Sequence, residues 1–183
     1  MLEAEASPQA LGLLRGIAWL TGGELSRAAQ AAADRLDAAG TTAPNWAVRL
    51  GAPVRAVEFT RSGAEGRCLL MGSFERAGAI HGFLVGVHRR REDVAHYIVL
   101  FSGDDAAVEQ QMTGRGLPGR TERLSPLDFR RELESALDRR ARQDRADLHR
   151  GILRCQDPDA DLPPYALAAT VLRAHLRAIG SNV

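Results

Sequence analysis

The histidines are the side chains in this sequence best suited to acid–base or metal chemistry. Three of the five, His81, His88 and His96, fall in one stretch, Ile80 to Phe101. An imidazole is the one side chain that gains or loses a proton near neutral pH without help, and it is also a common metal ligand. Pairing that is symmetric about Arg90–Arg91 sets His88 opposite Asp93, where a carboxylate could orient the ring as a general base. No Ser or Cys nucleophile is adjacent to that pair in sequence, though Ser102 or Ser73 could approach it in space, and His81 with Glu58 or Glu75 is a second histidine–carboxylate combination. The bland reading of His88 and Asp93 is an exposed cross-strand pair contributing ~0.2–1 kcal/mol. In the same register His81 and His96 share a face four positions apart. At ~3.3 Å per residue that is about 13 Å, too far for one zinc ion, so no metal site is expected.

The remaining candidates also have ordinary readings. Asp104 and Asp105 follow Ser102-Gly103 and suit the capped start of a helix. Gly114-Arg115-Gly116 could hold an anion on backbone N–H groups, but it lacks the Gly-Lys-Ser/Thr of a phosphate-binding loop. Arg89, Arg90, Arg91 and Arg115 are the arginines placed to touch an anion or a partner. Residues 115–154 hold eleven Arg and seven Asp or Glu, a net of +4. Acids interleave with these arginines at helical spacing, as on a solvated helix face, and no nucleic-acid module accompanies them. Nucleic acid is therefore not the expected partner. No cofactor motif is present, and with no lysine in the chain a Schiff base or a Lys general base is excluded.

The elements that would carry these side chains follow from periodicity. Ile80–His88 and Val94–Phe101 are apolar, β-branched and aromatic runs around a short charged break, the pattern of a β-hairpin. Val54–Thr60 and Arg67–Phe74 read as two earlier strands, with turn chemistry at 62–66 and 76–78. Strands joined by such short breaks must be antiparallel. Before them, 8–20 and 24–39 show helical spacing and form a helical hairpin. The second stripe is Leu25, Ala28, Ala29, Ala32 and Leu36, and Gly40 is placed to end it in a left-handed cap. Pro44–Leu50 reads as a turn or two of helix anchored by Trp46.

After the sheet, a helix is expected over 104–112, then a Gly/Pro loop over 113–124. Ser125-Pro126-Leu127-Asp128 is a strong helix start. That helix buries Phe129, Leu133 and Leu137, is nearly all charged and open to breakage around 139–147, and continues in a piece to Arg154. Gln156–Asp161 is a polar linker. A last helix, 162–179, turns Leu167, Val171, Leu172 and Leu176 inward.

From Leu14 to about Arg142 the order of features resembles a family of uncharacterised small proteins from high-GC bacteria. The matching stretches are Gly-Glu-Leu-Ser-Arg-Ala-Ala-Gln-Ala-Ala-Ala, Pro-Asn-Trp-Ala-Val-Arg-Leu-Gly and the hairpin from His81. Where that family has Asp-His-Asn and then Ala-Lys-Asp, this chain has Val87-His88-Arg89 and Ala95-His96-Tyr97. Both acidic groups and the lysine are replaced. The resemblance implies the fold and a cytosolic protein, and it implies that any site at the family's turn is altered here.

The composition agrees with a folded chain: 183 residues, 45% hydrophobic, 26% charged, formal net charge +1. All its basic residues being Arg, with abundant Ala and Gly, fits a GC-rich coding bias. Cys68 and Cys155 form no CxxC, which argues against a disulfide framework or structural zinc. Cys68 reads as a buried thiol. No signal peptide and no membrane span are evident, so a cytoplasmic location is expected.

The expected fold is α+β, a four-stranded antiparallel β-meander flanked by helices from both ends of the chain. Residues 1–155 are expected to form one domain, with 156–183 a linker and docking helix. Both faces of Val94–Phe101 are apolar and need cover, which makes a homodimer through 162–179 an expectation. The expected function is a non-catalytic ligand- or protein-binding module. The alternatives are a small-molecule enzyme built on the His88–Asp93 pair, and an anion or nucleic-acid binder built on the Arg clusters.

Overall fold

The computed structural model describes residues 6–64, 66–89, 93–103, 120–152 and 163–180. The helix expected at 104–112, Arg90, Arg91, Arg115, Cys155 and the linker 156–161 lie outside the described residues. Contacts divide the chain into two compact units, Met1–Val54 and Arg55–Val183.

The first unit is helical: α1 (Pro8–Leu20), α2 (Gly23–Ala38) and α3 (Asn45–Leu50). Ser7 caps α1, its Oγ accepting from the Ala10 N–H at 3.1 Å, with Pro8 in the first turn. α2 ends as the sequence requires. Gly40 takes φ +87°, its N–H donates to Asp37 O, and the Thr41 N–H donates to Leu36 O. That double closure satisfies two of the carbonyls a helix end leaves open.

Ala10, Leu11 and Leu14 pack against Ala29, Ala32, Ala33 and Leu36. The buried stripe of α2 is thus rotated from the expected one. Leu25 and Ala28 face solvent and Ala33 faces inward, because a run of alanines marks a helix face only weakly. Gly12 is the contact point for α3: a Cβ there would lie 2.6 Å from Trp46 Cζ2.

The second unit is a five-stranded antiparallel sheet with helices on one face. The strands are β1 (Val54–Ala64), β2 (Arg67–Arg76), β3 (Ala79–His88), β4 (Val94–Ser102) and β5 (Arg120–Arg123), in the order β4-β3-β2-β1-β5. The four-stranded meander is present in the expected order. The fifth strand corrects the expected count and part of the loop 113–124. Its sequence, Arg-Thr-Glu-Arg, has no apolar alternation to announce a strand. It is held by the β1 backbone, which runs past Thr60 to pair Thr60–Gly63 with Arg123–Arg120, and by polar side chains. Ser62 Oγ meets Thr121 Oγ1 at 2.7 Å, and Arg61 and Arg123 pair with Glu122 and Glu58 at 2.7 Å.

α4 (Pro126–His149) and α5 (Tyr165–Ala178) complete the unit. Ser125 Oγ caps α4, accepting from the Asp128 N–H at 3.1 Å. The helix continues unbroken through 139–147 to His149, and Gly151 at φ +69° follows it. Its buried Phe129 stacks on Phe59 at 4.4 Å, and Phe74 meets Phe59 and Phe83 edge-on. Gly72 makes room, since a Cβ there would lie 2.6 Å from Phe129 Cζ.

α5 lies on its own sheet through β4 and beside α4. Ala168, Leu172, His175 and Leu176 are buried, while Leu167, expected inward, is exposed. The opposite sheet face carries Leu69, Leu84 and Val99 with Met71 and Tyr97. There Gly82 and Gly86 sit under the rings of Phe101 and Tyr97. No helix among the described residues is long and apolar enough to cross a membrane.

Candidate functional site

The hairpin end is built differently from the symmetric pairing. His81 pairs with Ser102, but His88 pairs with Val94, because the register shifts at Gly86/Val87. Gly86 faces Tyr97 and Val87 faces Ala95, so His96 is the extra residue of a β-bulge. Two corrections follow.

First, His88 does not stand opposite Asp93. Asp93 occupies the turn at φ +55°, and its Oδ2 accepts from Arg139 Nη1 at 3.2 Å. The expected histidine–carboxylate pair is therefore not assembled. Second, His96 does not share a face with His81. The bulge brings it to His88, with ring centroids 4.9 Å apart and planes at 68°. A one-residue shift moves every later side chain to the other face, which is why a register argument fails at a bulge.

Arg140 holds this bulge from α4. Its Nη1 donates to the carbonyls of Ala95 and His96 at 3.3 and 3.2 Å, and its Nε donates to Asp144 at 2.7 Å. The guanidinium lies 4.4 Å from the centroid of the Tyr165 ring. Burial pushes the Tyr165 hydroxyl up to about 12. The charged half of α4, read from sequence as a solvated face, is thus partly a brace. Helical spacing gave the i,i+4 partner Asp144, but nothing local pointed to Ala95, His96 or Tyr165.

The second histidine pair lies at the seam between sheet and C-terminal helix. His81 Nε2 and His175 Nε2 are 2.7 Å apart, with Phe74 and Phe83 rings 5.0 and 4.8 Å from the His175 ring. His175 Nδ1 is 2.9 Å from the Val171 carbonyl. A carbonyl only accepts, so Nδ1 carries the hydrogen, and the neutral His175 ring accepts at Nε2 from the His81 Nε2–H.

That assignment leaves His81 Nδ1, 3.4 Å from Ala79 O, as the place where a proton can be added. Burial holds both rings below the usual histidine value, His175 at about 4, and the nearby Arg76 charge acts in the same direction. The same burial lowers Arg76 to about 10. His175 was not among the residues singled out from sequence. A histidine at helical spacing with apolar residues looks like any tolerated core position, and its partner lies 94 residues away.

The other candidates are dispersed. Glu58 pairs with Arg123 and Glu75 with Arg55, and Glu75 follows Phe74, which pairs with His81. Side chains alternate along a strand, so Glu75 and His81 lie on opposite faces. Cys68 is buried, as expected. Burial pushes its thiol up, and Arg89 beside it acts in the opposite direction. Among the described residues no group of three or more His, Cys, Asp or Glu could hold a metal ion. No family model, curated protein or solved structure matches the chain.

Proposed function

We propose that this chain is a non-catalytic protein-binding module of the cytoplasm, and that its helical unit presents the contact surface. The observation that carries this reading is the exposure of large apolar side chains there: Leu13 at 49%, Trp46 at 51%, Val48 at 56% and Leu25 at 59%. Single exposed leucines are ordinary. A half-exposed tryptophan with one edge set on Gly12 is a different case. Its ring is already ordered, so burying the remainder against a partner costs little rotamer entropy, and tryptophan is enriched among the residues that dominate binding energy.

Charges in the described part of this unit nearly balance, with Arg15, Arg27, Arg35 and Arg49 against Glu24, Asp34 and Asp37. That balance suits an apolar protein face better than a phosphate backbone. The enzyme alternative has less support, since Asp93 is engaged by Arg139 and not by His88.

The test starts with the full chain immobilised in extracts of its source cells. A retained protein, or a second copy of the chain, is purified and titrated against wild type and Trp46→Ser. A loss of tenfold or more in affinity, with unchanged circular dichroism, is expected. Equal affinity for Trp46→Ser and for a Leu13→Ser companion would overturn the assignment of the surface.

A further inference from the structure

The chain leaves the sheet at one corner and re-enters it at the opposite one. Neighbouring strands are antiparallel throughout, so β4 and β5, with three strands between them, run in the same direction. Ser102, at the end of β4, stands level with His81 and Phe74. Arg120, at the start of β5, pairs with Gly63, which lies against Arg67 and Cys68. From the level of Phe74 back to that of Cys68 is about 20 Å at ~3.3 Å per residue, and four strand spacings add about 19 Å sideways. The connection 103–119 therefore spans a diagonal of about 28 Å. At ~3.3 Å per residue it reaches about 56 Å, enough to pass over a face of the sheet.

Handedness selects the face. The Gly103 N–H donates to Ile80 O at 3.1 Å, so the Ile80 carbonyl points at β4. Side chains alternate along a strand, which puts Ile80 on the face opposite His81 and the helices. On a strand of L-residues running upwards, a residue whose side chain points at the viewer has its carbonyl on the right. Seen from the face opposite the helices with β3 upwards, β4 is thus at the far right and β5 at the far left. The bond from the Leu124 N–H to Phe59 O gives the same order, because Phe59 points away from that viewer, towards Phe129. A return from β4 to β5 in this frame is right-handed only if it passes in front of the sheet, and ~98% of such crossovers are right-handed.

Burial on that face agrees. Among the described residues of this unit both helices pack on the other side, Phe129 of α4 on Phe59 and His175 of α5 on His81. An uncovered face of an antiparallel sheet leaves its side chains open to water. Leu69, Leu84 and Val99 nevertheless keep only 4%, 3% and 7% exposure. We propose that the connection 103–119 lies across this second face, its apolar Val108 and Met112 set on Leu69, Leu84 and Val99. The second apolar face of β4 is then closed within one chain, without the second copy that the sequence led us to expect, and it offers no surface to a partner.

Photo-crosslinking tests the contact. Benzoylphenylalanine replaces Met112 in the full-length chain, which is irradiated, digested and mapped by mass spectrometry. An adduct within one chain to residues 69–71, 84–86 or 97–99 is expected. An adduct to α4 or α5, to any other segment or to a second copy would overturn the proposal, and so would no adduct. A second measurement uses Met71, which is half-buried on this face. Val108→Asp should speed its oxidation by peroxide fivefold or more, with circular dichroism unchanged. A Met71 rate equal to that of wild type would also overturn the proposal.

Discussion

Replacing His175 by phenylalanine should flatten the acid side of the stability curve. The ring is 3% exposed and packed against Phe74 and Phe83. Burial holds its protonation at about 4, against 6.5 for a free imidazole. Between those two values the unfolded chain binds a proton that the folded chain refuses, so the fold loses stability as pH falls. The contribution is intact above the unfolded value and fully lost near the folded one. A displacement of this size corresponds to at most about 3–4 kcal/mol, since each unit is worth ~1.4 kcal/mol. His81, lowered in the same direction, steepens the slope.

Phenylalanine keeps the aromatic contacts but leaves the His81 Nε2–H without its acceptor, which costs about 1–3 kcal/mol at neutral pH. Urea denaturation at pH 7.5, 6.5, 5.5 and 4.5 measures both effects. The variant should start below wild type at pH 7.5 and meet or pass it by pH 4.5. Parallel curves for the two proteins would refute the reasoning, because the acid slope would then come from the carboxylates alone.

Three further outcomes are expected. Phe129→Ala empties the space between Phe59 and Gly72 and should cost ~3–5 kcal/mol in chemical denaturation. Gly86→Val would set a side chain where a Cβ already lies 2.3 Å from Tyr97 Cε1; overpacking should cost ~1–3 kcal/mol, with the loss partly recovered in Gly86→Val combined with Tyr97→Ala. Arg140→Leu removes the donor shared by the Ala95 and His96 carbonyls. Hydrogen exchange at residues 95–97 should then accelerate while exchange at Phe83–Val85 stays at the wild-type rate.

Local chemistry was enough for much of this fold. Ser125-Pro126 announced α4 because a hydroxyl cap and a fixed proline φ act within one turn. Gly40 marked the end of α2 because a left-handed residue disfavours any Cβ. The strands of the meander were legible because β-branched and aromatic runs separated by turn residues have few other ways to satisfy their backbones, and their short connections force antiparallel neighbours. What escaped was decided by partners distant in sequence. β5 is polar throughout and becomes a strand only because the β1 edge offers hydrogen bonds. The last turns of α4 are charged and hold together because Arg139 and Arg140 find Asp93, the bulge carbonyls and Tyr165.

The same division applies to the histidines. Their residue types gave the possible chemistry, but the pairs they form depend on one extra residue in β4 and on where α5 docks. A single-residue bulge moved His96 from an expected place on the His81 face to His88. Helix docking then gave His81 a partner that no spacing along the chain could suggest. Side-chain identity is set by the sequence position by position, whereas convergence is set by register and packing, and those are properties of the whole sheet.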